Sequence, residues 1–176
     1  MNESNKIIFG KLLRYLSLLL LSLGNLYIFY KIFTPLTIYP TLGILKLIYG
    51  SSAQIMAANA FKIDSLTISL IPACIAGSAY YLLLILNLTT PMQIKTRMKS
   101  ILFLFMAFLT ANILRISVFS ILALNKYSNF NQLHLWTWYI GSTIFVICLW
   151  FINVNVFDIK SIPVYSDFKF IKKSLK

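Results

Sequence analysis

Apolar residues in this chain fall into long runs separated by short stretches where basic residues gather. The runs are Leu12 to Phe33, Pro72 to Leu88, Ile101 to Leu124 and Leu133 to Val156. A bilayer hydrocarbon core of about 30 Å takes around 20 helical residues, so each run reads as a membrane-crossing helix, the second borrowing residues at either end. Pro35 to Gly50 is apolar too, but Pro35, Pro40, Gly43 and Lys46 interrupt it. Such a stretch predicts an amphipathic or re-entrant helix at the outer surface. Asn59 to Leu70 partly alternates polar with apolar residues and is rich in Ile and Thr, the pattern of a short β-hairpin. The predicted fold is all-α: an integral membrane, polytopic helix bundle of about four transmembrane spans, with the outer helix and a short external β-hairpin added.

Composition agrees with a lipid solvent. Hydrophobic residues make up 59% of the 176 positions, and only Glu3, Asp64, Asp158 and Asp167 are acidic; the mean hydropathy is +0.81. A soluble domain of this length needs far more surface charge. The chain reads as one membrane-embedded domain over 1–176, ending in a basic tail at 157–176. Its net charge of +12 raises nucleic acid as a partner, but the Lys and Arg residues flank apolar runs instead of forming one stripe. Topology and an anionic inner leaflet account for them better.

Sidedness follows from the same charges. The loop Pro91 to Ser100 carries Lys95, Arg97 and Lys99 with no acid, and the tail carries Lys160, Lys169, Lys172, Lys173 and Lys176. Both are expected in the cytoplasm, as is the N-terminus with Lys6, Lys11 and Arg14. Four spans with both termini inside satisfy these biases, leaving 34–71 and 125–132 outside. A multi-pass protein of the cell membrane is implied. The first run shows no small-residue cleavage site and reads as an anchor, not a removable signal.

Three residues then stand out, all near the outer ends of runs. Cys74 follows Ile71-Pro72-Ala73, and Pro is favoured in a first helical turn; free N–H groups and the helix dipole there favour a thiolate. Its bland reading is a buried cysteine in an apolar helix. Arg115 lies roughly 9 to 14 Å below the end of its helix, deep enough for a charged guanidinium to need a reason and a partner in the bundle. Asn112 is one turn earlier on the same face. His134, the only histidine, heads the last run beside Trp136, Trp138 and Tyr139; it is either an interfacial residue of an aromatic belt or a general acid/base. Cys148 is 14 residues past His134, about 21 Å deeper. That is too far from Cys74 for a disulfide, so both thiols are expected free, with Cys148 a buried small hydrophobe. One histidine and one well-placed cysteine are too few for zinc; neither a metal nor another cofactor is expected.

The segments Ala73-Cys74-Ile75-Ala76-Gly77-Ser78-Ala79-Tyr80-Tyr81 and Asn112-Ile113-Leu114-Arg115-Ile116, with His134 at the head of the last span, resemble the exosortase/archaeosortase family, membrane-embedded protein-sorting enzymes. The likeness covers about residues 35–156 and is nearer the shorter archaeal branch. Many members follow the cysteine directly with Ser or Thr and Gly, whereas Ile75 and Ala76 intervene here. The resemblance implies a cysteine transpeptidase acting on surface proteins whose C-terminal signal is a short motif, a hydrophobic helix and a basic cluster, with transfer to a lipid or other surface acceptor. It further implies Cys74 as nucleophile, His134 as acid/base and Arg115 as oxyanion stabiliser, with Gly77, Ser78, Tyr81, Asn112 and Trp138 in support. A rival from another class is a non-catalytic scaffold or a small-solute permease component, in which Arg115 is structural or binds solute. A rhomboid-like serine protease lacks its glycine-flanked serine here.

Overall fold

The computed structural model describes residues 3–24 and 26–160. Helix α1 (Glu3–Leu23) leads into α2 (Tyr27–Tyr49), and a 3-10 turn at Gly50–Ser52 passes to strands β1 (Ala53–Ala57), β2 (Ala60–Ile63) and β3 (Leu66–Ser69). A single turn, α3 (Pro72–Ile75), precedes α4 (Gly77–Thr89), α5 (Ile94–Leu124), α6 (Phe130–Trp136), a π-helical turn (Thr137–Gly141) and α7 (Ser142–Val156). Residues 161–176, most of the expected basic tail, lie outside the described residues; Lys160 is inside them and pairs on the surface with Asp158 at 3.3 Å.

The expected first span, Leu12 to Phe33, is corrected. Gly24 and Asn25 follow the leucine run, and Leu26 adopts a left-handed φ of 57°, so the helix stops at Leu23 and restarts at Tyr27. Pro35 to Gly50 is accordingly no separate surface helix. It continues the turns begun at Tyr27, with Pro35 and Pro40 inside the helix. Buried Phe29, Phe33, Thr37, Ile38, Thr41, Leu42 and Leu45 recur at three- and four-residue spacing and form one stripe against the bundle. Packing of that stripe outweighs the loss of two backbone donors at the prolines.

The expected span Pro72 to Leu88 is also divided, at Ala76, which holds φ 58° and ψ 43°. Among the described residues three helical stretches, against the four expected, have the length and composition to cross a bilayer: Tyr27–Ser52, Ile94–Leu124 and Phe130–Val156; Gly77–Thr89 is apolar but shorter. The protein is thus a mostly helical, membrane-embedded bundle. Leu102, Met106, Leu114 and Val118 on α5, with Ile144, Ile147 and Phe151 on α7, are exposed. Water would not tolerate such an apolar belt, and lipid requires it.

Helix α5, about 46 Å long at 1.5 Å per residue, is the ruler of the bundle. Near its start, buried Ser100 accepts from Asn87 Nδ2 of α4 at 2.6 Å and donates to Asn153 Oδ1 of α7 at 2.8 Å. At mid-helix Phe105 and Phe108 meet the ring of Tyr80 edge-on, and Tyr80 stacks on Phe33 of α2. Further on, Asn112 and Arg115 reach Cys74, and Phe119 meets His134. Helices α4 and α7 therefore run antiparallel to α5, and the sheet, Cys74 and His134 share one end of the bundle.

Where a single hairpin is expected, the chain forms a three-stranded antiparallel sheet in the order β1-β2-β3. Ala53, Phe61 and Ile63 turn to the core and are fully buried, while Gln54, Lys62, Thr67 and Ser69 face outward. The β2–β3 turn is two residues, Asp64-Ser65, with Asp64 at φ 51°. That left-handed position suits Asp, whose short side chain tolerates it.

Candidate active site

Cys74 sits on the one-turn helix α3. Pro72 occupies its first turn, and the Cys74 amide is already spent on the Ile71 carbonyl at 2.8 Å. Two residues later the left-handed Ala76 ends the turn, its amide closing on Pro72 at 3.1 Å. The expected placement of the thiol at the head of a long helix is thereby corrected: the dipole behind Cys74 is that of a single turn, and it contributes little. A non-glycine residue in this conformation costs about 1–2 kcal/mol, which the surrounding packing offsets.

The break has a chemical consequence. In an unbroken helix the Cys74 carbonyl would accept from the amide of Ser78. Here its partners are side chains of α5: Asn112 Nδ2 donates at 3.0 Å and an Arg115 terminal nitrogen at 3.2 Å. Asn112 and Arg115 are one helical turn apart, so one face of α5 grips the backbone of the cysteine. Arg115 is half-buried, and among the described residues no carboxylate pairs with it. A guanidinium has five N–H donors, and the Cys74 carbonyl engages one of the terminal nitrogens.

His134 lies on α6 with its ring exposed, stacked on Phe130 at 5.6 Å and tilted against Phe119 at 5.1 Å. Two aromatic rings thus flank the imidazole. Among the described residues no hydrogen bond holds either ring nitrogen, and none joins the imidazole to the thiol. The π-helical turn behind it shifts the register of the last span; such single-turn irregularities recur at functional sites. Hydroxyls satisfy carbonyls along it: Ser142 donates to Trp138 and Thr143 donates to Tyr139, the latter at 3.1 Å.

Cys74, Arg115 and His134 line one cavity of about 270 Å³, whose remaining wall is β3, Leu70, Phe119 and the start of α6. Three elements, α3, α5 and α6, thus bring the three residues to one space, and β3 closes it. Of the supporting residues, Asn112 is in direct contact with Cys74, whereas Ser78 and Trp138 border a neighbouring groove between α4 and α7 that Arg115 also lines. Gly77 and Tyr81 do not reach the cavity. A Cβ on Gly77 would stand 2.8 Å from the Tyr30 ring, so glycine here lets α4 approach α2. The Tyr81 hydroxyl donates to the Leu18 carbonyl at 2.8 Å, tying α4 to α1.

Both cysteines are free. Cys148, expected in the core, lies on the exposed face of α7; α7 is apolar all round, so hydropathy alone could not orient it. In sequence Arg97 stands as one of three basic residues of the expected cytoplasmic loop. It is buried, and its guanidinium donates to the carbonyls of Asn87 at 3.2 Å, Leu88 at 3.0 Å and Thr90 at 3.0 Å, closing the C-terminus of α4. Among the described residues no three His, Cys, Asp or Glu side chains cluster as metal ligands would. Comparison of the chain with protein-family models, with curated proteins and with solved structures gives no match.

Proposed function

We propose that this chain is a membrane-embedded cysteine peptidase or transpeptidase of the exosortase/archaeosortase type, acting on polypeptides held in the same membrane. One observation carries the reading: a free thiol, a cation with no acidic partner among the described residues, and the only imidazole of the chain line a single cavity. In the proposed reaction the Cys74 sulfur, having given its proton to His134, attacks the scissile carbonyl. The tetrahedral oxyanion is stabilised by Arg115, whose remaining N–H groups supply the donors. Collapse breaks the C–N bond, His134 returns the proton to the departing amine, and a thioester remains on Cys74. An acceptor, water or a lipid-borne nucleophile, then loses its proton to His134 and attacks the thioester, restoring the thiol. Imidazole–thiol distances in resting enzymes are often loose and tighten only with substrate. Confining enzyme and scissile bond to one depth lowers the entropy cost of their encounter.

The topology that fits this reading takes α2, α4 with its lead-in turn, α5 and α7 as four crossings. Lys95, Arg97 and Lys99 mark the cytoplasmic end, which puts the sheet and the cavity at the outer face of the cell membrane. The substrates on this reading are surface proteins carrying a C-terminal motif, an apolar helix and a basic cluster.

The test is processing of such precursors by the full chain in membranes. Cys74→Ala and His134→Ala are expected to fold normally and to leave the C-terminal helix attached; normal processing in either ends the proposal. A second reading has its own observation, since Arg115 and Asn112 both satisfy the Cys74 carbonyl, as a purely structural clamp in a scaffold or permease component would. There Arg115→Lys retains function and alkylation of Cys74 is without effect, whereas an oxyanion role makes Arg115→Lys costly because a point charge does not reproduce the planar fork.

A further inference from the structure

The three-stranded sheet has two edges, and they differ. The β1 edge is interrupted by a bulge at Met56, between the paired positions Ile55 and Ala57; bulges blunt edges against further pairing. The β3 edge, Leu66-Thr67-Ile68-Ser69, has no proline, charge or bulge, and it borders the cavity that holds Cys74, Arg115 and His134. Its hydrogen-bond directions follow from its register. The Leu70 amide donates to the Asn59 carbonyl at 2.7 Å, and the pairing Phe61↔Ile68 and Ile63↔Leu66 keeps that alternation. Leu66, Ile68 and Leu70 therefore turn their backbone groups to β2. Thr67 and Ser69 turn theirs away from it, and both residues are exposed. Leu70 leads through Ile71 into the turn that carries Cys74, and β3 and Cys74 line the same cavity.

We infer that β3 is a docking edge for the extended backbone of a polypeptide substrate, which adds to the sheet as a fourth strand and so carries its scissile carbonyl past Cys74. The inference deepens the peptidase reading and rests on it for the purpose of the docked strand. Backbone pairing at Thr67 and Ser69 needs no particular side chains and requires an extended peptide. The cavity, at about 270 Å³, accommodates a short length of chain and excludes a folded partner.

The experiment uses the full chain in lipid nanodiscs and a photoreactive peptide, acetyl-Ala-Ala-(p-benzoylphenylalanine)-Ala-Ala-amide. Two analogues are N-methylated on one or the other alternate set of amides. Because only alternate residues of an added strand face β3, one analogue is expected to cross-link to residues 66–74 like the parent, and the other about tenfold less or lower, the loss of two backbone hydrogen bonds. Thr67→Pro removes an outward amide while sparing the bonds to β2, and it is expected to reproduce that loss; Thr67→Val keeps the amide and keeps the adduct. Equal cross-linking by both analogues, equal loss by both, or adducts scattered beyond residues 66–74 overturns the inference. Irradiation is repeated on Cys74→Ser, since the photochemistry does not use the thiol. Register-sensitive adducts with no precursor processing by the native chain keep the edge and sink the peptidase, while processing with register-blind adducts does the reverse.

Discussion

Arg97 and Arg115 lie on the same helix, five turns apart, and both donate to backbone carbonyls where the neighbouring chain leaves helical geometry. At one end Arg97 is buried and its two terminal nitrogens take three carbonyls at the close of α4; Asn87, Ser100 and Asn153 complete a polar knot joining three helices. At the other end Arg115 is half-buried, meets one carbonyl and faces open space beside a free thiol and an imidazole. A guanidinium whose donors are consumed is a structural clamp. One with donors and room left over is equipped for a ligand.

The largest expected effect falls on the closed end. Arg97→Met leaves the carbonyls at the end of α4 without their charged donor, at about 1–3 kcal/mol for each unsatisfied group. We expect a loss of about 3–5 kcal/mol, read as a shifted unfolding midpoint in mixed micelles. Arg115→Met is expected to do the opposite: a shift below about 1 kcal/mol, because Asn112 still serves the Cys74 carbonyl, together with a fall of about 10²–10³ in precursor processing, the usual value of one oxyanion donor. Similar stability losses in both variants would erase the distinction between the ends.

Much of the open end was legible in the sequence, and the closed end was not. A lone arginine inside an apolar run is costly in lipid and draws notice, as do a solitary histidine and a cysteine beside proline. Arg97 stands among Lys95 and Lys99, so it looked like one more loop charge, and nothing local shows that it turns inward. Helix α2 was hidden by Pro35 and Pro40, which read as breakers when taken residue by residue; only the buried stripe from Phe29 to Leu45, a tertiary fact, shows why the helix runs through them. The break at Ala76 was equally silent. Alanine is the best helix former, so nothing in its identity signals the left-handed conformation it holds; the α5 side chains that take up the freed Cys74 carbonyl are distant in sequence. The two thiols show the same limit: Cys74 was placed by its neighbours in sequence, whereas the outward face of Cys148 depends on which side of α7 meets the bundle.

The next effect sharpens the comparison from within the knot. Ser100→Ala removes the link that joins Asn87 to Asn153 and leaves two buried amides short of a partner. Interhelical hydrogen bonds in membranes average about 0.6 kcal/mol, and orphaned groups cost more, so a loss of about 1–2 kcal/mol is expected in the same micelle titration. Processing per folded molecule should stay at the native level, because Ser100, on α5, meets the C-terminal end of α4 at Asn87, whereas Cys74 precedes the N-terminal end of α4. A Ser100→Ala chain that folds normally but no longer processes would mean that the knot belongs to the site.

The smallest effect lies beside the open end, at Gly77, the first residue of α4. The added methyl of Gly77→Ala would meet the Cε1 and Cζ atoms of Tyr30 at 2.8 Å, closer than packed atoms approach. Overpacking costs about 1–3 kcal/mol, and the low end is expected because the obstacle is the ring of a half-buried side chain that can swing aside. Gly77 adjoins the left-handed Ala76, however, so a shift of α4 away from α2 moves the turn that carries Cys74, and processing should fall by more than the stability change implies. Tyr30→Leu in the same chain relieves the contact. If the double variant recovers processing as well as stability, close approach of α4 to α2 is what sets the cysteine against Arg115; if it recovers stability alone, the Tyr30 contact is not what positions the turn.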